Sequence, residues 1–322
     1  MKTLKWGLIG CGDIVKKRVG PALRDLENCE IFAVNRNNFE LAELFAKEIG
    51  AKKWYKDWHD LINDREIEAV YISTPIYLHA EQTIFAANAG KHILCEKSMA
   101  LNQKDCDLMI EACVKNNVKL GISYYRHFYP VIKRIKQAFE SDEIGKPVIA
   151  EMNAFEWFDK KPGEPRYWLL KKDQAGGGPM MDFGCHRIEV LLNLFGKVKG
   201  IQSELFNLYF EREVEDTAYI SMLFENNVNA FIRVTHAAYE PQDTLTIFGT
   251  KGTIRIPNLN TGIIYIKNDR GENMEAYPPH NNIHQPLIDE FVKAVFDDRE
   301  PTVDGIKAKE VTKILDQIYH NI

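Results

Sequence analysis

Nowhere does this 322-residue sequence stay apolar for the roughly eighteen positions that a membrane-crossing helix needs, so no such helix is expected. Neither sign of charge dominates. The 41 lysines and arginines are interspersed with 46 aspartates and glutamates, and a net charge of −5 gives nucleic acid no basic face to bind. The six cysteines, at 11, 29, 95, 106, 113 and 185, show no CxxC or CxxH spacing. That excludes a zinc ribbon or a redox pair and leaves small, reduced apolar residues, with the cytoplasm as the expected location. Low-complexity segments and internal repeats are also missing. The opening MKTLKWGLIGCG has only a short apolar core that runs into a glycine turn, which reads as a first strand and not as a signal peptide.

What is present has two grammars. Up to about residue 125, short apolar runs (LKWGLIG, EIFAV, IEAVYIS, KHILC, VKLGIS) alternate with helical patterns such as NNFELAELFAKEIG and NQKDCDLMIEACVKNN, the second opening on Asn102 as an N-cap. This alternation predicts an α/β fold with a doubly wound parallel sheet of the Rossmann type. After a helix around 128–140, strands such as PVIAEMNAFEWF, TAYISMLFE, VNAFIRVTH, GTIRIP and GIIYIK follow one another through short turns. They predict an α+β domain with a large, mostly antiparallel open sheet, closed by helices near 284–297 and 305–320. The expected division is residues 1–125 and 126–322. In the later strands both parities carry apolar residues, which predicts cover on each face of that sheet.

Three stretches carry chemistry. In GLIGCGDIV, Gly10 and Gly12, with Cys11, Asp13 and Ile14, form the first β-to-α turn. Such a turn lets the backbone approach a pyrophosphate at a helix N-terminus; the plainer alternative is a turn whose glycines serve packing alone. The second strand ends in Asn35 and Arg36, where NAD-specific sites place a carboxylate for the ribose 2′-OH. Loss of that charge beside an arginine favours NADP, with a site that accepts NAD as the alternative. On the same logic, Asn35→Asp should restore repulsion toward a 2′-phosphate. KHILCEKSMA ends the fifth strand on Glu96 and Lys97, and the carboxyl ends of strands face the ligand in such sheets. Finally, GGGPMMDFGCHRIEV (176–190) sets Asp182 and His186 four apart on one helix face. That pair alone is open between a metal half-site, a helix cap and an acid/base arm, although no third metal ligand stands at a recognisable spacing.

GCG, STPIYLH (73–79), AGKHILCEKSMA (89–100) and AGGGPMMDFGCH (175–186) resemble, in order and spacing, the Gfo/Idh/MocA oxidoreductase family. The GPALR at 20–24 resembles its sugar-reductase and dihydrodiol-dehydrogenase branches. The resemblance implies that Lys97, Asp182 and His186 are catalytic. It implies a cofactor site that adds Ser73, Thr74, Pro75, His79, Glu96, Lys97, Arg126 and Trp168 to the glycine turn, Asn35 and Arg36. It also implies homodimers or homotetramers joined through the C-terminal sheet. Ser98 stands where the family has a proline after the lysine, and Leu169 where many relatives have an arginine, with Arg166 or Lys171 as its substitute.

The chemistry expected is hydride exchange between nicotinamide and a secondary alcohol or carbonyl of a sugar, polyol or cyclic diol. Oxidising the alcohol requires a base for its proton, a role that suits His186. Asp182 would orient the histidine or bind substrate, and Lys97 would polarise the reacting oxygen. The glycines before Asp182 are expected to let the backbone close to the cofactor. The stretches YYRHFYP (124–130) and FEWFDKKPGEPRYW (155–168) offer aromatic faces and donors for a polyhydroxylated ring, with Tyr125, Arg126 and Arg166 as substrate residues beside Lys97, Asp182 and His186. Two other classes fit the same motifs: an NAD-dependent glycosidase and a non-catalytic nucleotide- or sugar-binding regulator.

Overall fold

The structure is a computed structural model and describes residues 2–320. It forms two compact units: the chain up to Tyr125 together with Asn281–Thr312, and Arg126–His280 together with the chain from Lys313. Residues 281–312 cluster with the first unit although they follow the second in sequence. The cause is visible in the helix Gln285–Phe296. Its Ile288, Phe291 and Val292 are fully buried in one cluster with Trp6, Leu8, Val34, Tyr71 and Leu94, and the Phe291 ring lies 5.6 Å from that of Trp6.

The first unit contains β1 (Leu4–Ile9), β2 (Cys29–Asn35), β3 (Lys53–Tyr55), β4 (Ala69–Ile72), β5 (His92–Cys95) and β6 (Leu120–Ile122). They form one parallel sheet in the order β3-β2-β1-β4-β5-β6. The order reverses between β1 and β4, the position at which doubly wound sheets open a ligand crevice beyond their carboxyl ends. The helices lie where their caps predict: Asn38 and Asn102 accept from Leu41 N and Asp105 N at 2.9 Å, and Gly50 closes Phe39–Ile49 in the left-handed region.

The second unit contains β7 (Pro147–Trp157), β8 (Val198–Phe206), β9 (Thr217–Phe224), β10 (Asn229–Thr235), β11 (Ala237–Gly249), β12 (Gly252–Ile256), β13 (Ile263–Asn268) and β14 (Gly271–Ala276). They run in the order β14-β13-β12-β11-β7-β10-β9-β8, antiparallel throughout except for the parallel pair β7–β10. Burial alternates strictly on β9 and β10. Ala218, Ile220, Met222, Ala230, Ile232 and Val234 face inward, and the helix Cys185–Phe195 packs on β10. The opposite face carries Ile149, Tyr219, Leu223, Phe231 and Phe248, each more than a third exposed.

Candidate active site

At the end of β1 the chain turns through Gly10, whose φ of +78° and whose missing Cβ, which would lie 2.7 Å from the Thr74 methyl, both demand glycine. Ser73 donates its hydroxyl to the carbonyls of Ile9 and Gly10 and so fixes the turn. Gly12 is different. A Cβ there would meet nothing closer than Gly10 O at 3.8 Å, so no protein neighbour requires glycine at this position. A pyrophosphate lying against the backbone would, and the turn fits a dinucleotide on that ground. Beside it a cavity of about 280 Å³ is lined by Cys11, Gly12, Asp13, Lys16 and Arg36 among others, with Glu48 paired to Lys16 at 3.2 Å. Burial pushes the Cys11 thiol up to about 12, so this cysteine serves as packing. Ile14 packs against the core cluster.

Asn35 does something the sequence does not reveal. Its Nδ2 donates to Tyr55 O at 3.2 Å and to Lys56 O at 2.9 Å, which ties the end of β2 to the segment after β3. Both amide protons are engaged, so Asn35→Asp would set a carboxylate against two carbonyls. That substitution would break the tie as well as alter cofactor choice, and Arg36 is the cleaner position to probe.

The loop after β5 is held from two sides. Glu96 is buried. Its Oε1 accepts from Tyr71 Oη at 2.6 Å and lies 3.4 Å from His284 Nε2, while its Oε2 accepts from the backbone N of Lys97 at 3.2 Å. Burial raises this carboxyl, but His284, Tyr71 and Lys97 outweigh it and hold it below its ordinary value. Glu96 therefore anchors the Lys97 backbone from a buried position. The Lys97–Ser98 peptide is cis. Buried His79 bridges this loop to the one after β4, with Nδ1 2.9 Å from Ser98 O and Nε2 2.9 Å from Thr74 O. Its burial pushes the imidazole pKa down, and a neutral ring donates to only one of the two carbonyls. Pro75 precedes the turn Ile76–Leu78, Thr74 Oγ1 donates to Gln82, and the Tyr125 ring lies 4.8 Å from that of His284.

In the second unit Asp182 lies in a π-helical turn, Met180–Gly184, that leads directly into the α-helix Cys185–Phe195, and buried His186 stands in the first turn of that helix. No side chain caps either segment, so Asp182 is not a helix cap. It is mostly buried and accepts at 3.1 Å from Arg166 Nη2, which reaches it from a left-handed residue of φ +69°. Two of the glycines ahead of it are required by the protein itself. A Cβ on Gly177 would fall 2.2 Å from the Tyr319 ring, and one on Gly178 would fall 2.0 Å from Glu215 O. The Glu215 carboxylate, its pKa raised by burial, accepts from Gly178 N at 2.7 Å, Met180 N at 3.2 Å and Tyr319 Oη at 2.7 Å.

Arg126 is buried in an ion pair, with Nη2 2.8 Å from Asp243 Oδ2, while Arg187 Nη2 takes the other oxygen at 2.6 Å. Trp168 packs beside Phe158, Leu169, Leu170 and Val214. Lys171 pairs with Glu213 and lines, with Lys160, Lys161 and Tyr167, a cavity of about 510 Å³. Leu169 is part of the apolar cluster and offers no donor, whereas Arg166 pairs with Asp182. Sequence reasoning missed Glu156, Arg212, Glu215, His236, Asp243 and His284. The one local signal was His236, a polar residue ending the apolar run VNAFIRVTH.

Comparison with known proteins accords with this geometry. Residues 4–124 match the family model described as oxidoreductase family, NAD-binding Rossmann fold, and residues 132–255 match the GFO/IDH/MocA C-terminal domain. An oxidoreductase of Formosa agariphila is 30% identical over 317 residues, 97% of each chain. The 1,5-anhydro-D-fructose reductase of Ensifer adhaerens is 26% identical over 307 residues, 94% of this chain and 91% of that one. A levoglucosan dehydrogenase solved in complex with NADH and levoglucosan shares the fold, with a TM-score of 0.89 at 22% identity over 98% of this chain and 96% of that one. The chain belongs to the Gfo/Idh/MocA family of NAD-binding oxidoreductases.

Proposed function

We propose that this oxidoreductase uses NADP(H), with NAD(H) as the alternative, to interconvert a secondary alcohol and a carbonyl on a sugar, polyol or related cyclic diol. The observation that carries the reading is the retention, in one chain, of the open Gly12 turn, Lys97, Asp182 and His186 at the family's positions. The sugar reductase among its relatives supports the substrate class. A bound nicotinamide supplies the hydride acceptor or donor. His186 takes or returns the hydroxyl proton. Lys97, whose backbone is anchored by Glu96, places its ammonium against the reacting oxygen and steadies the alkoxide. Asp182, held by Arg166, orients histidine or substrate. Tyr125, Arg126 and Trp168 stay in the proposed binding set, and so does Asn35 through its carbonyl oxygen. A panel of sugars and polyols followed at 340 nm tests the assignment. Substrate consumed with no net change in absorbance would point to the glycosidase, and no turnover of any member would point to the regulator.

The cofactor proposal rests on Arg36. NADP(H) is expected to bind several-fold tighter than NAD(H), and Arg36→Ala should weaken NADP(H) by about tenfold or more while NAD(H) changes little, because only the former loses a charge-assisted contact. Calorimetric titration of both proteins decides it, and a wild type that binds both cofactors equally overturns the preference.

We also propose that the outer face of the eight-stranded sheet joins copies of the chain into a homodimer or homotetramer. Tyr219, Leu223, Phe231, Phe248 and Ile149 lie on one face of adjacent strands and form an apolar patch of the sort that marks interfaces. Light scattering at micromolar concentration should find the oligomer, and Phe231→Lys should shift it toward monomer.

A further inference from the structure

Within the second unit, Glu156 and His236 join Asp182 of the family motif, and the three bring one oxygen, one nitrogen and one oxygen to within 4.8 Å of one another. Carboxylates and a histidine so grouped suggest a divalent cation, and Arg212 argues against it. Arg212 Nη2 lies 2.9 Å from His236 Nδ1, and the guanidinium is fixed there by further bonds to Phe158 O at 3.3 Å and Glu215 O at 3.0 Å. A guanidinium has no lone pair to offer, so Nδ1 must be the acceptor. The ring is fully buried between Phe158 and Phe183, and that burial pushes its pKa down to about 3, with Asp182 pulling it up and Arg212 pushing it further down. A neutral imidazole whose Nδ1 accepts carries its proton on Nε2. Nε2 has no partner within hydrogen-bond distance and lies 3.7 Å from Glu156 Oε1. It points an N–H, not a lone pair, at the two carboxylates.

Three atoms within 4.8 Å of one another leave room for a fourth at about 2.8 Å from each, the length of a hydrogen bond to oxygen. The occupant has to accept from Nε2–H and donate to a carboxylate. A metal ion or an ammonium cannot accept, and a hydroxyl oxygen can do both. We propose that Glu156, Asp182 and His236 form a subsite for a hydroxyl group of the substrate, filled by water when substrate is absent, and that Arg212 makes the subsite refuse cations by fixing the tautomer of His236. The substrate side of this inference rests on the polyol reading given above. The subsite adds specificity for a hydroxyl beside the reacting one, since a site built to bond an OH rejects analogues that lack it.

The test is direct binding, with NADP+ present, of two non-reducing probes, 1,5-anhydro-D-glucitol and myo-inositol, to wild type, His236→Phe and His236→Gln. Wild type should bind at least one probe. His236→Phe should weaken it about tenfold, and His236→Gln, which keeps an acceptor and a donor, should come within about threefold of wild type. Mg2+, Mn2+ and Zn2+ titrated alone should give no heat that His236→Phe removes. If His236→Phe does not fold, Glu156→Leu at a part-exposed strand position must weaken the probe in its place. A cation bound by wild type and lost in His236→Phe overturns the proposal. So does probe binding unchanged by His236→Phe, or a dinucleotide-binding wild type that takes neither probe, which would leave a water site only. Probe oxidised with an unchanged KM in His236→Phe sinks the subsite and leaves the oxidoreductase reading standing. Probe bound through His236 but never oxidised does the reverse.

Discussion

Lys97→Ala and His186→Ala are each expected to lower kcat by about a hundredfold or more, the usual contribution of a positioned acid, base or charge. Dinucleotide affinity should barely change in His186→Ala, because His186 is assigned to the reacting proton and not to the cofactor-binding set. Some weakening is allowed for Lys97→Ala, whose residue sits on the loop after β5 beside Glu96. If the two side chains serve one proton and one oxygen in a single step, removing the second should cost far less once the first is gone. The double variant should then be much less impaired than the product of the two single effects. Steady-state and single-turnover rates on all four proteins measure this. Near-wild-type turnover in His186→Ala would reduce Asp182 and His186 to a packed helix start.

The other large effect is on stability. Asp243→Ala should cost about 3–5 kcal/mol, because it deprives two buried guanidinium groups, Arg126 and Arg187, of the carboxylate they share. For a protein of this size that corresponds to a fall in Tm of about 4–7 °C. Asp243→Asn retains an acceptor oxygen and should recover part of the loss. Asn260, whose Nδ2 donates to Asp243 Oδ2 at 3.0 Å, is a modest control: Asn260→Ala should cost about 1 kcal/mol. Differential scanning calorimetry on the three variants separates a buried charge cluster from an ordinary polar contact, and an Asp243→Ala protein that melts with wild type would refute it.

Much of the fold was legible because its signals are local. Asn38, Asn102 and Gly50 mark helix ends, and the parity of β9 and β10 marks a face. β3 and β14 were not legible, since three residues carry no period and GENMEA is an exposed edge with no apolar alternation. The site divides in the same way. Glycine turn, lysine, aspartate and histidine are contiguous motifs, and they were read from the chain. Glu96 was read as a member of the cofactor site, and its pairing with His284, almost two hundred positions later, did not show. The need for glycine at 177 and 178 did not show, because the neighbours that impose it, Tyr319 and Glu215, stand 142 and 37 positions away. Arg212 left no local signal and His236 only its place at the end of an apolar run, because the tautomer of a histidine is decided by the atom on its far side.

The parallel pairing of β7 with β10 bears on how the chain comes off the ribosome. β10 and β11 follow each other in sequence but do not touch in the sheet, because β7 lies between them. β7 therefore emerges about eighty residues before either of its neighbours exists. At ordinary rates of synthesis of about 5–20 residues per second, an eleven-residue strand holding Ile149, Met152 and Phe155 waits roughly 4–16 s with both edges unpaired. Local hairpins such as β9–β10 can close at once, but the sheet becomes continuous only when β7 slots between two strands made later. The interval of greatest exposure to aggregation during biogenesis thus belongs to the middle of the sheet, not to its edges.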